Sequence, residues 1–99
     1  MDKQARIERI SQMEERFDGV ARILGELDEA IGKYEDIKDG LAALKDYLDS
    51  GQWKEDYEAD EVGLLPKDLK RGVLSQDGLY DLLQEADRII CHARKVLGI

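Results

Sequence analysis

No proline interrupts the chain from Lys3 to Ser50, and across that stretch the apolar side chains recur at alternating steps of three and four. That spacing is the period of a helix presenting one face to a core, so it predicts a long α-helix. Ile10, Phe17, Leu24 and Ile31 form one row at seven-residue spacing, and Met13, Val20, Leu27 and Tyr34 form a second. In heptad terms these are the a and d positions of a coiled-coil type seam. Around the seam, Asp18 precedes Arg22 and Glu29 precedes Lys33 by four residues. Such pairs support an exposed helix by a few tenths of a kcal/mol each. Gly19, Gly25 and Gly32 each cost it about 1 kcal/mol against alanine, so the helix depends on packing against something else.

The register slips after Tyr34. The next apolar positions are Ile37, Leu41, Leu44 and Leu48, and Lys38 takes the place where the old register required an apolar residue. A three-residue slip either overwinds a continuous helix or marks its end. With Asp39-Gly40 beside it, the pattern favours a break or kink near Gly40, followed by a second helix to about Leu48.

Residues 51–75 change character: they hold the only tryptophan, the only proline and no long period. They read as a connector with short helices. Ser50 or Gly51 starts one that carries Trp53 and Tyr57 one turn apart, and Pro66 opens another through Leu69. From Ser75 or Asp77 a final helix is well signalled, with Asp77 and Asp81 early, Arg94 and Lys95 late and Gly98 beyond. The expectation is one all-α domain over residues 1–99: a long N-terminal heptad helix, a second helix after Gly40, the connector, and a helix over 76–99 packed back on the first as a hairpin or bundle.

Length argues for assembly. A helix from Gln4 to Lys38 is about 50 Å long and one from Gln76 to Leu97 about 33 Å. A compact domain of this size has a radius of gyration near 13 Å. The last helix therefore cannot cover the whole seam, and the expected partner is a protein or a second copy of the chain, meeting it along Ile10, Phe17, Leu24 and Ile31.

Charge narrows the function. The formal net charge is −8, from 23 acidic and 15 basic side chains scattered along all three segments. No basic stripe is available to release counterions from a phosphate backbone, so nucleic acid is not an expected partner. One cysteine and one histidine exclude an intrachain disulfide framework and leave too few ligands for a structural zinc. The N-terminus is charged from its second residue, and no apolar run approaches the roughly 18 residues of a membrane span. A cytoplasmic protein with no membrane segment and no cofactor is expected.

The run YEADEVGLLPKDLKRGVLSQDGLYDLL, residues 57–83, together with the heptad helix and SGQWKEDYEADE before it, resembles the bacterial family catalogued as domain of unknown function 4298. The resemblance spans nearly the whole chain and is most specific in that central run. It implies a small helical protein of bacteria, and it carries no catalytic or ligand residues.

Several side chains nevertheless invite chemistry. Asp56, Glu58, Asp60 and Glu61 are dense enough in oxygen for a hard cation such as Mg²⁺, but lack the EF-hand spacing, and acids also collect on solvated helix faces. Lys67, Lys70 and Arg71 suit a phosphate or an acidic peptide, or else ion pairs with Asp56, Asp60 or Glu61 that fix the connector. Trp53, Tyr57 and Tyr80 suit a ligand pocket, or else packing that ties the connector down. Cys91 and His92 are adjacent on the last helix and diverge by about 100°, so they form no dyad, and Cys91 is expected at the buried edge of the apolar face. The candidate recognition surface is thus Trp53, Tyr57, Asp60, Glu61, Lys67, Lys70, Arg71 and Tyr80, with no catalytic residue and no metal ligand assigned. The reading is a non-enzymatic, self-associating interaction module. Its rivals are a divalent-metal-dependent phosphate-processing enzyme and an acidic decoy for a basic partner.

Overall fold

The computed structural model describes residues 2–75 and 77–99. Among them are three α-helices, α1 (Lys3–Asp49), α2 (Gln52–Glu61) and α3 (Gly78–Leu97), a 3-10 segment at Gly72–Leu74, and no strand. The all-α class and the C-terminal helix follow the sequence closely.

The end of the first helix does not. Instead of breaking near Gly40 and giving way to a second helix, α1 is a single helix through to Asp49. A glycine ends a helix when it takes the left-handed conformation just past the last turn. Gly40 does not take it, whereas Gly51 does, with φ of 88°. The Ser50 amide donates to the Asp46 carbonyl at 2.9 Å and the Glu55 amide to the Gly51 carbonyl at 3.1 Å, so Gly51 closes α1 and opens α2. At the other end of α1, the Asp2 carboxylate accepts the Gln4 amide at 3.1 Å, taking up one of the donors a helix N-terminus leaves unpaired.

The chain divides into two compact units, Met1–Lys38 and Asp39–Ile99, each described by itself. In the first unit every side chain of the seam is exposed, from 37 % at Leu27 to 70 % at Phe17. The second unit holds the last turns of α1, then α2, the connector and α3. Its buried core is Leu74, Leu79 and Leu83. Leu41, Leu44 and Leu48, the apolar row that follows the slip, are half-buried here. The boundary between the units falls at Lys38, where the heptad register slips.

Within the second unit, α2 and α3 both pack on the 3-10 segment. Leu74 supplies its buried side chain, and the Leu74 amide donates to the Arg71 carbonyl at 2.9 Å. α3 meets the last turns of α1 where Lys45 lies 3.6 Å from Asp87. Along α3, Leu79 and Leu83 are buried and Ala86, Ile90 and Ala93 half-buried, one face at helical spacing. The helix closes on Gly98, whose φ of 73° lets both its own amide and that of Ile99 donate to the Arg94 carbonyl. Pro66 opens a turn rather than the helix its position suggested, with the Leu69 amide on the Pro66 carbonyl at 3.2 Å. Pro66 is the first residue of that turn, and glycines at 63 and 72 leave little length for a helix.

Candidate functional site

The connector is built around Trp53. Residues 53 and 57 are one turn apart on α2, and their rings stack with centroids 5.1 Å apart and planes 19° off parallel. The Trp53 indole N–H donates to the Val73 carbonyl at 2.8 Å, which ties α2 to the 3-10 segment. A second tie runs through Arg71. Its guanidinium meets the Asp60 carboxylate in a partly buried ion pair and donates to the Pro66 carbonyl at 2.6 Å. A third comes from Tyr47, at the end of α1, whose hydroxyl donates to Asp56 Oδ2 at 2.6 Å.

These contacts set the electrostatics. The Tyr47 phenol is pushed up to about 12, first by its partial burial and then by Asp56, whose carboxylate accepts its hydrogen bond and repels a phenolate. The Tyr57 phenol is also raised, chiefly by the Glu61 carboxylate one turn along α2. On α3, Arg88 hydrogen-bonds Glu85 and holds that carboxyl below its ordinary value.

The acidic group is therefore dispersed among partners. Asp56 serves Tyr47, Asp60 serves Arg71 and Glu61 lies beside Tyr57. Among the described residues, no three His, Cys, Asp or Glu side chains come together where they would hold a metal ion. Of the basic cluster, Arg71 is half-buried in the ion pair just described, and Lys67 and Lys70 are exposed. Tyr80 stands apart from the Trp53–Tyr57 stack in its bonding: it lies at the start of α3, is 56 % exposed and accepts a hydrogen bond from the Gln84 amide at 2.9 Å. Cys91 is exposed, contrary to the buried edge expected of it, because the covered face runs through Leu83, Ala86, Ile90 and Ala93 and position 91 is turned about 100° from Ile90. His92 is exposed as well.

Among the described residues, the seam of the first unit is an exposed apolar face. Ile10, Met13, Phe17, Val20, Leu24, Leu27, Ile31 and Tyr34 line one face of α1, and no residue of α1 is buried. Gly19, having no side chain, leaves a shallow open depression in that surface, bordered by Arg16, Val20, Ile23 and Leu24. Among the described residues no helix is long and apolar enough to cross a membrane.

Sequence reasoning did not anticipate the Tyr47–Asp56 bond or the 3-10 segment as the piece on which α2 and α3 meet. Tyr47 is adjacent to Leu48 and off the Leu41, Leu44, Leu48 row, so periodicity gave it no weight. Three residues are too few to carry a period at all.

A family model described as "Domain of unknown function (DUF4298)" matches residues 10–96, and the chain belongs to that family. No curated protein and no solved structure matches it.

Proposed function

We propose that this member of the family is a non-enzymatic helical interaction module of the cytoplasm. It self-associates along the first unit of α1 and presents the connector, Trp53 to Arg71, as a recognition surface. The observation that carries the reading is the change in burial at the heptad slip. Before it, eight seam side chains are exposed on a helix that no other element of their unit covers. After it, Leu41, Leu44 and Leu48 are half-buried within the second unit.

An exposed heptad seam has a physical cost. Large fully exposed apolar side chains present roughly 200 Å² each, so exposures between 37 and 70 % over eight of them amount to on the order of 800 Å². A standard-size interface takes roughly 800 Å² from each partner, and a monomer seldom leaves that much contiguous apolar surface in water. Of the connector side chains suited to a metal or a phosphate, Asp56 is engaged by Tyr47, and Asp60 and Arg71 by one another, which favours a binding role for this segment over a catalytic one.

Sedimentation equilibrium across a concentration series tests the reading. The expected result is a species at a multiple of the 11.3 kDa chain mass. A chain that stays monomeric to hundreds of micromolar would overturn it.

A further inference from the structure

We infer that the first unit of α1 pairs with its counterpart in a second copy in the antiparallel direction, Ile10 of one against Tyr34 of the other, with Ile23 sealing one flank near the two-fold axis. This rests on the self-association reading and adds to it a direction, a register and a specificity-determining residue.

A helix face meets a copy of itself about a two-fold axis either in parallel or antiparallel. In a parallel pair every layer of the seam sets a residue against itself. Phe17 then lies on Phe17, the smaller Val20 on Val20 in the next layer, and Tyr34 on Tyr34, so wide layers adjoin narrow ones. In the antiparallel pair that overlaps the whole seam, each a residue meets a d residue of the other copy: Ile10 with Tyr34, Met13 with Ile31, Phe17 with Leu27 and Val20 with Leu24. Each aromatic ring then faces an aliphatic side chain and the layers even out in volume, as a close-packed core requires.

The flanks choose the same direction. With Ile10 at a, the g positions of the seam hold Arg16, Ile23 and Ala30, and the e positions hold Glu14, Ala21 and Asp28. Ile23, 50 % exposed, widens the apolar face on the g side alone. A parallel pair sets g against e, so Ile23 would abut Asp28. An antiparallel pair sets g against g, and Ile23 then lies among Arg16, Ile23 and Ala30 of the second copy. Glu14 and Asp28 share the other flank. Covering the open half of an isoleucine strengthens pairing about fivefold per copy, whereas an exposed like-charge contact weakens it only about twofold. Arg9 is engaged within its own chain and enters neither side of this comparison. The ion pairs of Arg22 with Glu26 and Lys33 with Glu29 occupy the outward c and f positions, away from both flanks. A cation bounds the seam at each end, Arg6 before Ile10 and Lys38 after Tyr34, and Lys38 is also the last residue of the first unit.

The test uses the full chain and two readouts. In a Cys91→Ser background, with glutathione disulfide as oxidant, a mixture of Ile10→Cys with Tyr34→Cys should cross-link to a dimer. Either variant alone should not, because its two thiols lie about 36 Å apart in the antiparallel pair. Cross-linking of Ile10→Cys alone overturns the direction while leaving self-association intact, and so does a chain that sediments as a dimer but cross-links in neither case. Ile23→Lys should weaken association at least tenfold, since its ammonium enters a flank that holds no acid, and the melting of the second unit should stay unchanged. In a parallel pair the same lysine faces Asp28, so an affinity that holds or rises would overturn the inference. A wild-type chain that remains monomeric in sedimentation removes the underlying reading as well.

Discussion

Removing the Trp53 indole N–H while keeping an aromatic ring tests how the second unit is held together. Trp53→Phe preserves a stack on Tyr57 and deletes the 2.8 Å bond to the Val73 carbonyl, the tie between α2 and the 3-10 segment. A net hydrogen bond contributes about 1 kcal/mol. In a unit of roughly 60 residues, 1 kcal/mol corresponds to a melting shift of about 4–8 °C. Trp53→Ala also loses the stack, worth about 1 kcal/mol, and the apolar contact of a half-buried indole, for a total of about 3 kcal/mol. The loss is large relative to the unit because, among the described residues, only Leu74, Leu79 and Leu83 are fully in its core. Scanning calorimetry at a fixed protein concentration is the assay, since association itself moves the melting point. Trp53→Phe should fall by about 4–8 °C and Trp53→Ala by at least twice as much. If both melt within about 1 °C of wild type, the connector is not held by this residue and the account of the unit's packing is wrong.

Other perturbations give distinct outcomes. Leu24→Ala, at a residue 58 % exposed in the seam, should cost about 2 kcal/mol per copy on pairing, weakening a dimer by about a thousandfold, with no loss of the cooperative melting of the second unit. Leu74→Ala, at 7 % exposure, should do the reverse, lowering that unit's stability by about 2–4 kcal/mol and sparing association. Arg71→Met removes both the Asp60 pair and the Pro66 bond, and calorimetry should read a loss of about 1–2 kcal/mol. Tyr47 predicts an alkaline limit. Its folded pKa of about 12 lies above the ordinary 10, so its contribution, about 1 kcal/mol after solvent screening, is intact below pH 10 and is lost as pH rises from 10 through 12. Ultraviolet titration should show a phenol titrating at about 12 that disappears in Tyr47→Phe and moves toward 10 in Asp56→Asn, while the raised Tyr57 phenol is unchanged by either.

How much of this was legible in the sequence differs by scale. The seam and the signals around α3 are periodic or terminal patterns, in which several residues carry the same message, and α1 begins and α3 stands where those patterns place them, whereas the break read from the slip at Lys38 does not occur. The extent of α1 was not legible, because Asp39-Gly40 and Ser50-Gly51 are both plausible stops and only the backbone conformation distinguishes them. The slip nonetheless carried information of another kind: it falls where the apolar row passes from exposed to half-buried. In the connector, the Trp53–Tyr57 stack followed from four-residue spacing, and the Arg71–Asp60 pair from charge proximity. The partners of Trp53 and Tyr47 did not, since a carbonyl twenty residues away and a carboxylate across a turn leave no mark in a one-dimensional pattern.

The central claim is that α1 has two coverings divided at Lys38: another copy before it and the chain's own second unit after it. Residue-resolved amide hydrogen exchange at two concentrations, one below and one above the association range, tests this most directly. The account predicts that amides over residues 10–34 gain protection as concentration rises, while those of residues 79–90 in α3 stay unchanged. Protection over 10–34 that is already full and independent of concentration in the monomer would contradict it.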